Sequence, residues 1–179
     1  RRQRQMCIRD REYIMWYAIL GAVLLAGDQI LKYWVVTHLA VGESAPFLPG
    51  FMQLTRLHNY GAAWSSFSGR TVLLVVFTAV LLAAVALLLI KKVVRHWTGI
   101  TACTLILSGG IGNIIDRIVH GYVVDMFDLQ LFSYPVFNLA DCGVVAGAIL
   151  VGIYYLFLYE KYDKKKKESD HAHDPSDPS

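Results

Sequence analysis

Hydrophobic residues form four long blocks along the chain, and each block is long enough to be a membrane-spanning helix. Three blocks contain no Asp, Glu, Lys or Arg over twenty, nineteen and eighteen positions: residues 71–90, 97–115 and 142–159. A fourth block, residues 13–36, is interrupted only by Asp28 and Lys32. A hydrocarbon core of about 30 Å needs roughly 20 residues of helix. Because a segment in lipid must satisfy its own backbone hydrogen bonds, the pattern predicts four transmembrane helices.

Composition supports a membrane protein over a soluble one. The 179 residues are 55% hydrophobic and only 17% charged, and the charges are unevenly distributed. A soluble bundle of four buried helices is the alternative, but buried soluble helices rarely run this long without a polar face. The first block is too long to be a removable signal peptide and lacks a small-residue cleavage site. We therefore expect it to remain as the first helix.

Basic residues mark one side of the predicted membrane. Thirteen of the seventeen Lys and Arg residues lie in three segments: residues 1–12, 91–95 and 161–167. The positive-inside rule places these segments in the cytoplasm, where they face anionic lipid and not nucleic acid. The topology divides the chain into three parts: a cytoplasmic basic arm at 1–12, a four-helix transmembrane domain at 13–160 and a disordered cytoplasmic tail at 161–179. Within the transmembrane domain, this topology predicts two loops on the outer side, at about 38–70 and about 120–137.

The ionisable residues of the spans converge on the outer membrane level. Asp28 lies about 22 Å along the first helix, counted from the inside. Other residues reach the same level at the outer ends of the third and fourth helices and in the loop between them: Asn113, Asp116, Arg117, Asp125, Asn138 and Asp141. An ionisable group inside a span costs about 2.5–3.5 kcal/mol on insertion scales, so a cluster of them normally marks a pathway or an active site.

Most of these residues also have a structural interpretation. Asp28 and Lys32 are spaced i to i+4 and can form an ion pair on one helix face. Asp116 and Arg117 can cap and anchor the outer end of the third helix, with Arg117 reaching towards the interface. The sequence NLAD at 138–141 has the form of a capping box at the start of the fourth helix.

Asp125 has no comparable structural interpretation. It lies between apolar neighbours in VVDMFD, in what we predict to be a loop against the membrane. Asp125 and Asp141 are sixteen positions apart, and both ends of their connection are fixed at the outer level. A hairpin of this length can bring the two carboxyl groups together.

Two adjacent carboxyl groups cannot both ionise at neutral pH, so they share one proton and titrate as a pair. The ionised member can take a proton from an attacking water while the protonated member donates to a peptide carbonyl, as in aspartic proteases. Asp141 is the easier to ionise, because a helix N-terminus favours negative charge. We therefore expect Asp125 to carry the shared proton.

Other chemical sites have weaker support. A thiol protease pair of His120 and Cys142 lacks a cation to activate the thiol. The three cysteines have no metal-binding spacing, and the HAH sequence at 171–173 lacks a third ligand, so we expect no metal and no cofactor. GGIG at 109–112 and GxxxG at 143–147 are typical of close helix packing. Three serines follow GAAW without a positioned base: Ser65, Ser66 and Ser68.

The segment before the second helix has β and interfacial character. The partly alternating FMQLTRLHN at 51–59 predicts a short strand or two lying on the membrane. The aromatic residues Trp64 and Phe67 follow this segment, and we expect them to lie at the membrane interface.

Five motifs together resemble the lipoprotein signal peptidase family, over residues 13–160. They are DQILK at 28–32, NYGAAWS at 59–65, GGIGNIIDR at 109–117, VVDMFD at 123–128 and FNLAD at 137–141. The resemblance implies an all-α membrane fold of four transmembrane helices with a small extracytoplasmic β-cradle and a short interfacial helix. It implies a bacterial inner-membrane aspartic endopeptidase, with both termini cytoplasmic, that cleaves prolipoproteins just before a diacylglyceryl-modified cysteine.

The resemblance also assigns roles to individual residues. It implies that Asp125 and Asp141 are catalytic. It implies that seven further residues hold the substrate or support the site: Asn59, Asn113, Arg117, Asn138, Asp116, Asp28 and Lys32. The expected partners are diacylglyceryl-prolipoprotein substrates, membrane lipid and inhibitors of the globomycin type, and the expected state is a monomer.

Three other classes remain as alternatives. A proton or cation transporter would carry ionisable residues through the full membrane depth, whereas the inner halves of the last three helices have none. A non-enzymatic assembly subunit that uses the GxxxG face would leave Asp125 unexplained. A presenilin-type protease would have an acid after GxG, where this chain has Asn113.

Overall fold

The computed structural model describes the backbone of residues 2–61 and 69–164 and the side chains of residues 14–61 and 69–159. The elements, in chain order, are α1 (Arg2–His38), β1 (Ser44–Leu48), β2 (Met52–Asn59), α2 (Thr71–Ile90), α3 (Trp97–His120), β3 (Val123–Leu129) and α4 (Leu139–Ile153), which continues as a π-helical segment (Tyr154–Lys164). The predicted fold class of four helices with a small sheet is confirmed.

Four helical segments are long and apolar enough to cross a membrane: Ile14–His38, Thr71–Ile90, Trp97–His120 and Leu139–Tyr159. The helix α1 begins at Arg2, so the basic arm is continuous with the first span. Residues 161–164, at the start of the predicted tail, continue the helical segment, and the rest of the tail lies outside the described residues. Other predictions fall outside the described residues: the short interfacial helix, Trp64, Phe67, the three serines at 65–68 and the HAH sequence.

The helix α3 is central and packs against α1, α2 and α4. Its glycines allow this close approach: a Cβ on Gly110 would overlap Leu82 of α2, and one on Gly109 would overlap Val144 of α4. On α4, a Cβ on Gly143 would overlap Leu24 of α1. The packing interpretation of both glycine motifs is therefore confirmed.

The three strands form one antiparallel sheet in the order β1-β2-β3. Apolar residues of β2 and β3 cover the C-terminal end of α1, where they form a core cluster: Val35, Leu39, Leu54, Val124 and Met126. Residues 123–129 were expected to be a loop, and this expectation is wrong. They become a strand because β2 offers them a hydrogen-bonding partner, with Leu57 opposite Asp125 and Asn59 opposite Val123.

Candidate active site

Asp125 lies on β3 with its side chain turned into the protein. The residue is only 1% exposed, and both carboxylate oxygens accept hydrogen bonds. Asn59 Nδ2 donates to Oδ2 at 2.9 Å, and Asn138 Nδ2 donates to Oδ1 at 2.6 Å. Asn59 reaches Asp125 because β2 lies beside β3 in the sheet. Both oxygens of the buried carboxyl group therefore have a hydrogen-bond partner.

Asp141 occupies the third position of α4 and forms the predicted capping box with Asn138. The Asp141 backbone N–H donates to Asn138 Oδ1 at 2.8 Å, and the Asn138 backbone N–H donates to Asp141 Oδ2 at 3.3 Å. The other oxygen, Oδ1, accepts from Asn113 Nδ2 of α3 at 2.7 Å. The capping interpretation of NLAD is confirmed, and it does not exclude chemistry at Asp141.

Two asparagine side chains link the acids. Asn138 Nδ2 donates both to Asp125 Oδ1 and, at 3.2 Å, to Asn113 Oδ1, while Asn113 donates to Asp141. The chain folds back after β3 to allow this, because the backbone of Phe137 pairs with Phe127. The hairpin between the two acids therefore brings them into one hydrogen-bonded network.

The environment of Asp125 favours its protonated form. Burial, and then the negative charge of Asp141, raise the pKa of Asp125 from its ordinary 3.8 to about 7. Hydrogen bonds from Asn59 and Asn138 and the positive charge of Lys32 act in the opposite direction. The Asp125 carboxyl group therefore binds a proton much more readily than an ordinary carboxyl group.

A second buried cluster lies beside the two acids. Lys32 Nζ is 2.8 Å from Asp28 Oδ2 and 3.0 Å from Asp116 Oδ2, and all three side chains are almost fully buried. The ion pair predicted between Asp28 and Lys32 is thus present, with Asp116 as a third member. Lys32 also donates to Asn113 Oδ1 at 3.0 Å, which joins the cluster to Asp141.

Asp116 does not cap the end of α3, which was the structural interpretation of this residue. Its Oδ2 accepts from the backbone N–H of Val124 at 3.1 Å, and α3 instead ends at Gly121 in the left-handed conformation. Arg117 donates from Nη2 to the carbonyl of Gly61 at 3.0 Å, just beyond β2. Asn59 Oδ1 accepts from the Gly61 backbone N–H at 2.9 Å, so both residues fix the chain at this point.

The structure brings all nine predicted site residues into this region and adds one that the sequence reasoning missed. Gln29 Nε2 lies 3.2 Å from Asp28 Oδ2 and 3.2 Å from Asp116 Oδ1. It also lies 3.3 Å from the carbonyl oxygen of Gly112. An amide beside two ionisable residues in an otherwise apolar span was the signal that could have identified it.

The rival thiol site receives no support from the geometry. His120 stacks on Tyr122, with ring centroids 5.8 Å apart. Cys142 is exposed on α4. Within the described side chains, residues 14–61 and 69–159, no hydrogen bond joins His120 to Cys142.

Comparisons with known proteins agree with this architecture. Residues 20–157 match the family model described as signal peptidase (SPase) II. A lipoprotein signal peptidase of Enterococcus faecalis is 40% identical over 84% of this chain and 93% of its own length. One of Clostridium acetobutylicum is 36% identical over 82% of this chain and 97% of its own length.

Two solved structures share the fold. A bacterial membrane enzyme solved in meso at 2.3 Å has a TM-score of 0.77 and 27% identity, over 93% of this chain and 96% of its own. A second, at 1.9 Å, has a TM-score of 0.74 and 33% identity, over 81% and 95%. With its four apolar helices, the protein is a multi-pass membrane peptidase. The chain belongs to the signal peptidase II family.

Proposed function

We propose that the protein is an aspartic endopeptidase that removes signal peptides from diacylglyceryl-modified prolipoproteins by cleaving just before the lipidated cysteine. The family supports the substrate class. The single observation that carries the aspartic mechanism is the linkage of two buried carboxyl groups through Asn113 and Asn138. Two carboxyl groups in one site can act together as base and acid to activate water without a covalent intermediate.

In the proposed resting state Asp125 is protonated and Asp141 is ionised. Asp141 lies at a helix N-terminus and accepts hydrogen bonds from Asn113 and the Asn138 backbone, which favour its carboxylate form. Burial and the charge of Asp141 raise the pKa of Asp125, which favours its acid form. The two environments thus separate a base from an acid.

The proposed reaction transfers two protons in each half. Asp141 takes a proton from water as the water oxygen attacks the peptide carbonyl, and Asp125 donates its proton to the carbonyl oxygen. The resulting tetrahedral intermediate collapses when Asp141 returns its proton to the leaving nitrogen and the C–N bond breaks. As the C–N bond breaks, Asp125 recovers a proton from one of the two hydroxyl groups on the tetrahedral carbon, which leaves a neutral carboxyl group and restores the resting state.

The remaining residues are proposed to hold this arrangement and the substrate. Asn59, Asn113 and Asn138 orient the two acids through the hydrogen bonds described above. Arg117 lies where the chain leaves β2 and is proposed to contact the substrate peptide. The cluster of Asp28, Lys32 and Asp116 is proposed to support the site. Inhibitors of the globomycin type are proposed to bind at the active site, where the substrate would lie.

The proposed orientation follows the distribution of basic residues. Both termini lie in the cytoplasm of a bacterial cell, and the two acids lie near the outer leaflet of the inner membrane. Among the described side chains, the buried Asp and Lys residues all belong to one neighbourhood: Asp28, Lys32, Asp116 and Asp125. A transport path through the full membrane depth therefore gains no support.

The test uses purified protein in detergent or lipid with a lipid-modified preprolipoprotein and the same precursor without its lipid. Asp125→Asn and Asp141→Asn should each lower the cleavage rate by at least about 100-fold, the usual contribution of acid–base catalysis. Asp128→Asn is the matched control, since Asp128 lies on the same strand but accepts from Gln53 and Thr55. Near-normal cleavage by either dyad variant would refute the mechanism, and equal cleavage of the unlipidated precursor would refute the substrate class.

A further inference from the structure

The two proposed catalytic acids are held in the same way by a carboxylate from the neighbouring cluster. Asp116 Oδ2 accepts from the backbone N–H of Val124, the residue immediately before Asp125, at 3.1 Å. Asp28 Oδ1 accepts from the backbone N–H of Ala140, the residue immediately before Asp141, at 2.8 Å. The second contact satisfies one of the free N–H groups in the first turn of α4. Each acid is thus fixed by a charged hydrogen bond one peptide unit away.

Two donors on α1 join these two carboxylates to each other. Lys32 Nζ contacts Asp28 Oδ2 at 2.8 Å and Asp116 Oδ2 at 3.0 Å. Gln29 Nε2 contacts the same Asp28 oxygen and the other Asp116 oxygen, Oδ1, both at 3.2 Å. The strand segment before Asp125 and the helix segment before Asp141 are therefore connected through four side chains.

We propose that Asp28, Gln29, Lys32 and Asp116 form a clamp that sets the separation of Asp125 and Asp141, and that Gln29 is a positioning residue for the reaction. This inference rests on the proposed function, because only a pair of acids that must act together needs a fixed spacing. Without the clamp, β3 and α4 are connected by the backbone pairing of Phe127 with Phe137, the asparagine bridge and the eight-residue segment between Asp128 and Phe137, and none of these reaches the residues immediately before both acids. A displacement of about 1 Å between reacting groups can cost on the order of 100-fold in rate.

Gln29 is suited to this role because it adds donors without adding charge. Two buried carboxylates share one ammonium group in the clamp, and the Gln29 amide gives each of them a further hydrogen bond. Its contact with the carbonyl oxygen of Gly112 fixes the amide against α3. Gly112 itself makes room, since a Cβ there would lie 2.9 Å from Asp28 Oδ2.

Gln29 also provides the cleaner experiment. Removing Lys32 would leave two buried carboxylates without a cation, and the protein would be expected to misfold. Gln29→Met keeps the length of the side chain and the charge of the clamp but removes both donors. Gln53→Met is the matched control, because Gln53 Nε2 donates to Asp128 Oδ2 at 2.7 Å, outside the clamp.

We expect Gln29→Met to lower kcat for the lipid-modified precursor about 10-fold, with KM within about 2-fold of wild type, because the acids are misplaced while the substrate still binds. The kcat is expressed per active site, counted by titration with a tight-binding globomycin-type inhibitor. Gln53→Met should change neither constant. Gln29→Asn keeps the amide but is one methylene shorter, and it should lower kcat as well.

The outcomes separate a failure of the clamp from a failure of the proposed mechanism. An unchanged kcat in folded Gln29→Met and Gln29→Asn, or a change confined to KM, would overturn the clamp. If Gln29→Met does not fold, the result for Gln29→Asn decides. Asp125→Asn and Asp141→Asn are assayed in parallel: normal turnover by these variants would refute the proposed mechanism itself, whereas their inactivity beside a normal kcat for the Gln29 variants refutes the clamp alone.

Discussion

Asp125→Asn should change how the stability of the folded protein depends on pH. The pKa of Asp125 is raised from 3.8 to about 7 because the carboxylate is buried and lies near the charge of Asp141. Each factor of ten in proton affinity corresponds to about 1.4 kcal/mol, so ionising Asp125 in the folded protein costs about 4 kcal/mol more than in the unfolded chain. Asparagine, which does not ionise, avoids this cost.

The pH window follows from the direction of the shift. Below about pH 4 the Asp125 carboxyl group is neutral in both folded and unfolded states, and the cost is absent. Between about pH 4 and pH 7 the folded protein binds more protons than the unfolded chain, so the free energy of unfolding of the wild type falls as the pH rises. Above pH 7 the full cost is present. The stability of Asp125→Asn relative to wild type should therefore increase by about 4 kcal/mol across this window.

The assay is reversible unfolding in mixed micelles, followed by tryptophan fluorescence and circular dichroism, from about pH 4 to about pH 8. The substitution also alters the hydrogen bonds from Asn59 and Asn138. This shifts the free energy of unfolding at every pH, including acid pH where the ionisation cost is absent. The repulsion between Asp125 and Asp141 is one cause of the raised pKa, so its relief is already included in the roughly 4 kcal/mol. Asp128→Asn measures the effect of removing a strand carboxylate outside the site, and its pH-dependent part is subtracted.

A relative stability of Asp125→Asn that stays constant from acid to neutral pH would refute this reasoning. It would mean that the Asp125 carboxyl group ionises as readily in the folded protein as in the unfolded chain. A relative stability that falls with rising pH would be a stronger contradiction, because it would mean that the folded protein stabilises the Asp125 carboxylate.

Three further predictions concern activity and packing. The kcat of the wild type should fall as the pH rises above about 7, because Asp125 loses the proton it donates; a rate that stays constant well above pH 8 in a peptide-cleavage assay would contradict this. Gly112→Ala should destabilise the protein by about 1–3 kcal/mol in detergent unfolding, since its Cβ would press on Asp28 Oδ2 at 2.9 Å, whereas Gly152→Ala, with nothing within 4 Å, should not. Lys32→Met should lower the free energy of unfolding by at least about 3 kcal/mol and reduce the folded yield, because it leaves Asp28 and Asp116 buried without a cation. Lys91→Met, at an exposed position, is the control, and a normal yield of Lys32→Met would exclude a structural role for the ion pair.

The helices and the proximity of Asp28 to Asp116 were predictable because both depend on local properties of the sequence. The length of an apolar block determines whether it can span a bilayer, and a fixed rise per residue then gives the depth of Asp28 or Asp116. The capping box at Asn138 and Asp141 and the ion pair of Asp28 with Lys32 are also local, since each joins residues three or four positions apart.

The strand β3 and the role of Gln29 were not predictable in this way, because their partners are distant in sequence. Asn59 and Asp125 are 66 positions apart, Gln29 and Asp116 are 87 apart, and Asp28 and Ala140 are 112 apart. The periodicity of hydrophobic residues reports local structure and gives no information about contacts between residues so far apart in sequence. In VVDMFD, moreover, Val123, Val124, Asp125 and Met126 are all buried, so the alternation that normally identifies a strand is missing. The same burial that removes the alternation of the strand also raises the pKa of Asp125, which suits it to the proposed role of acid.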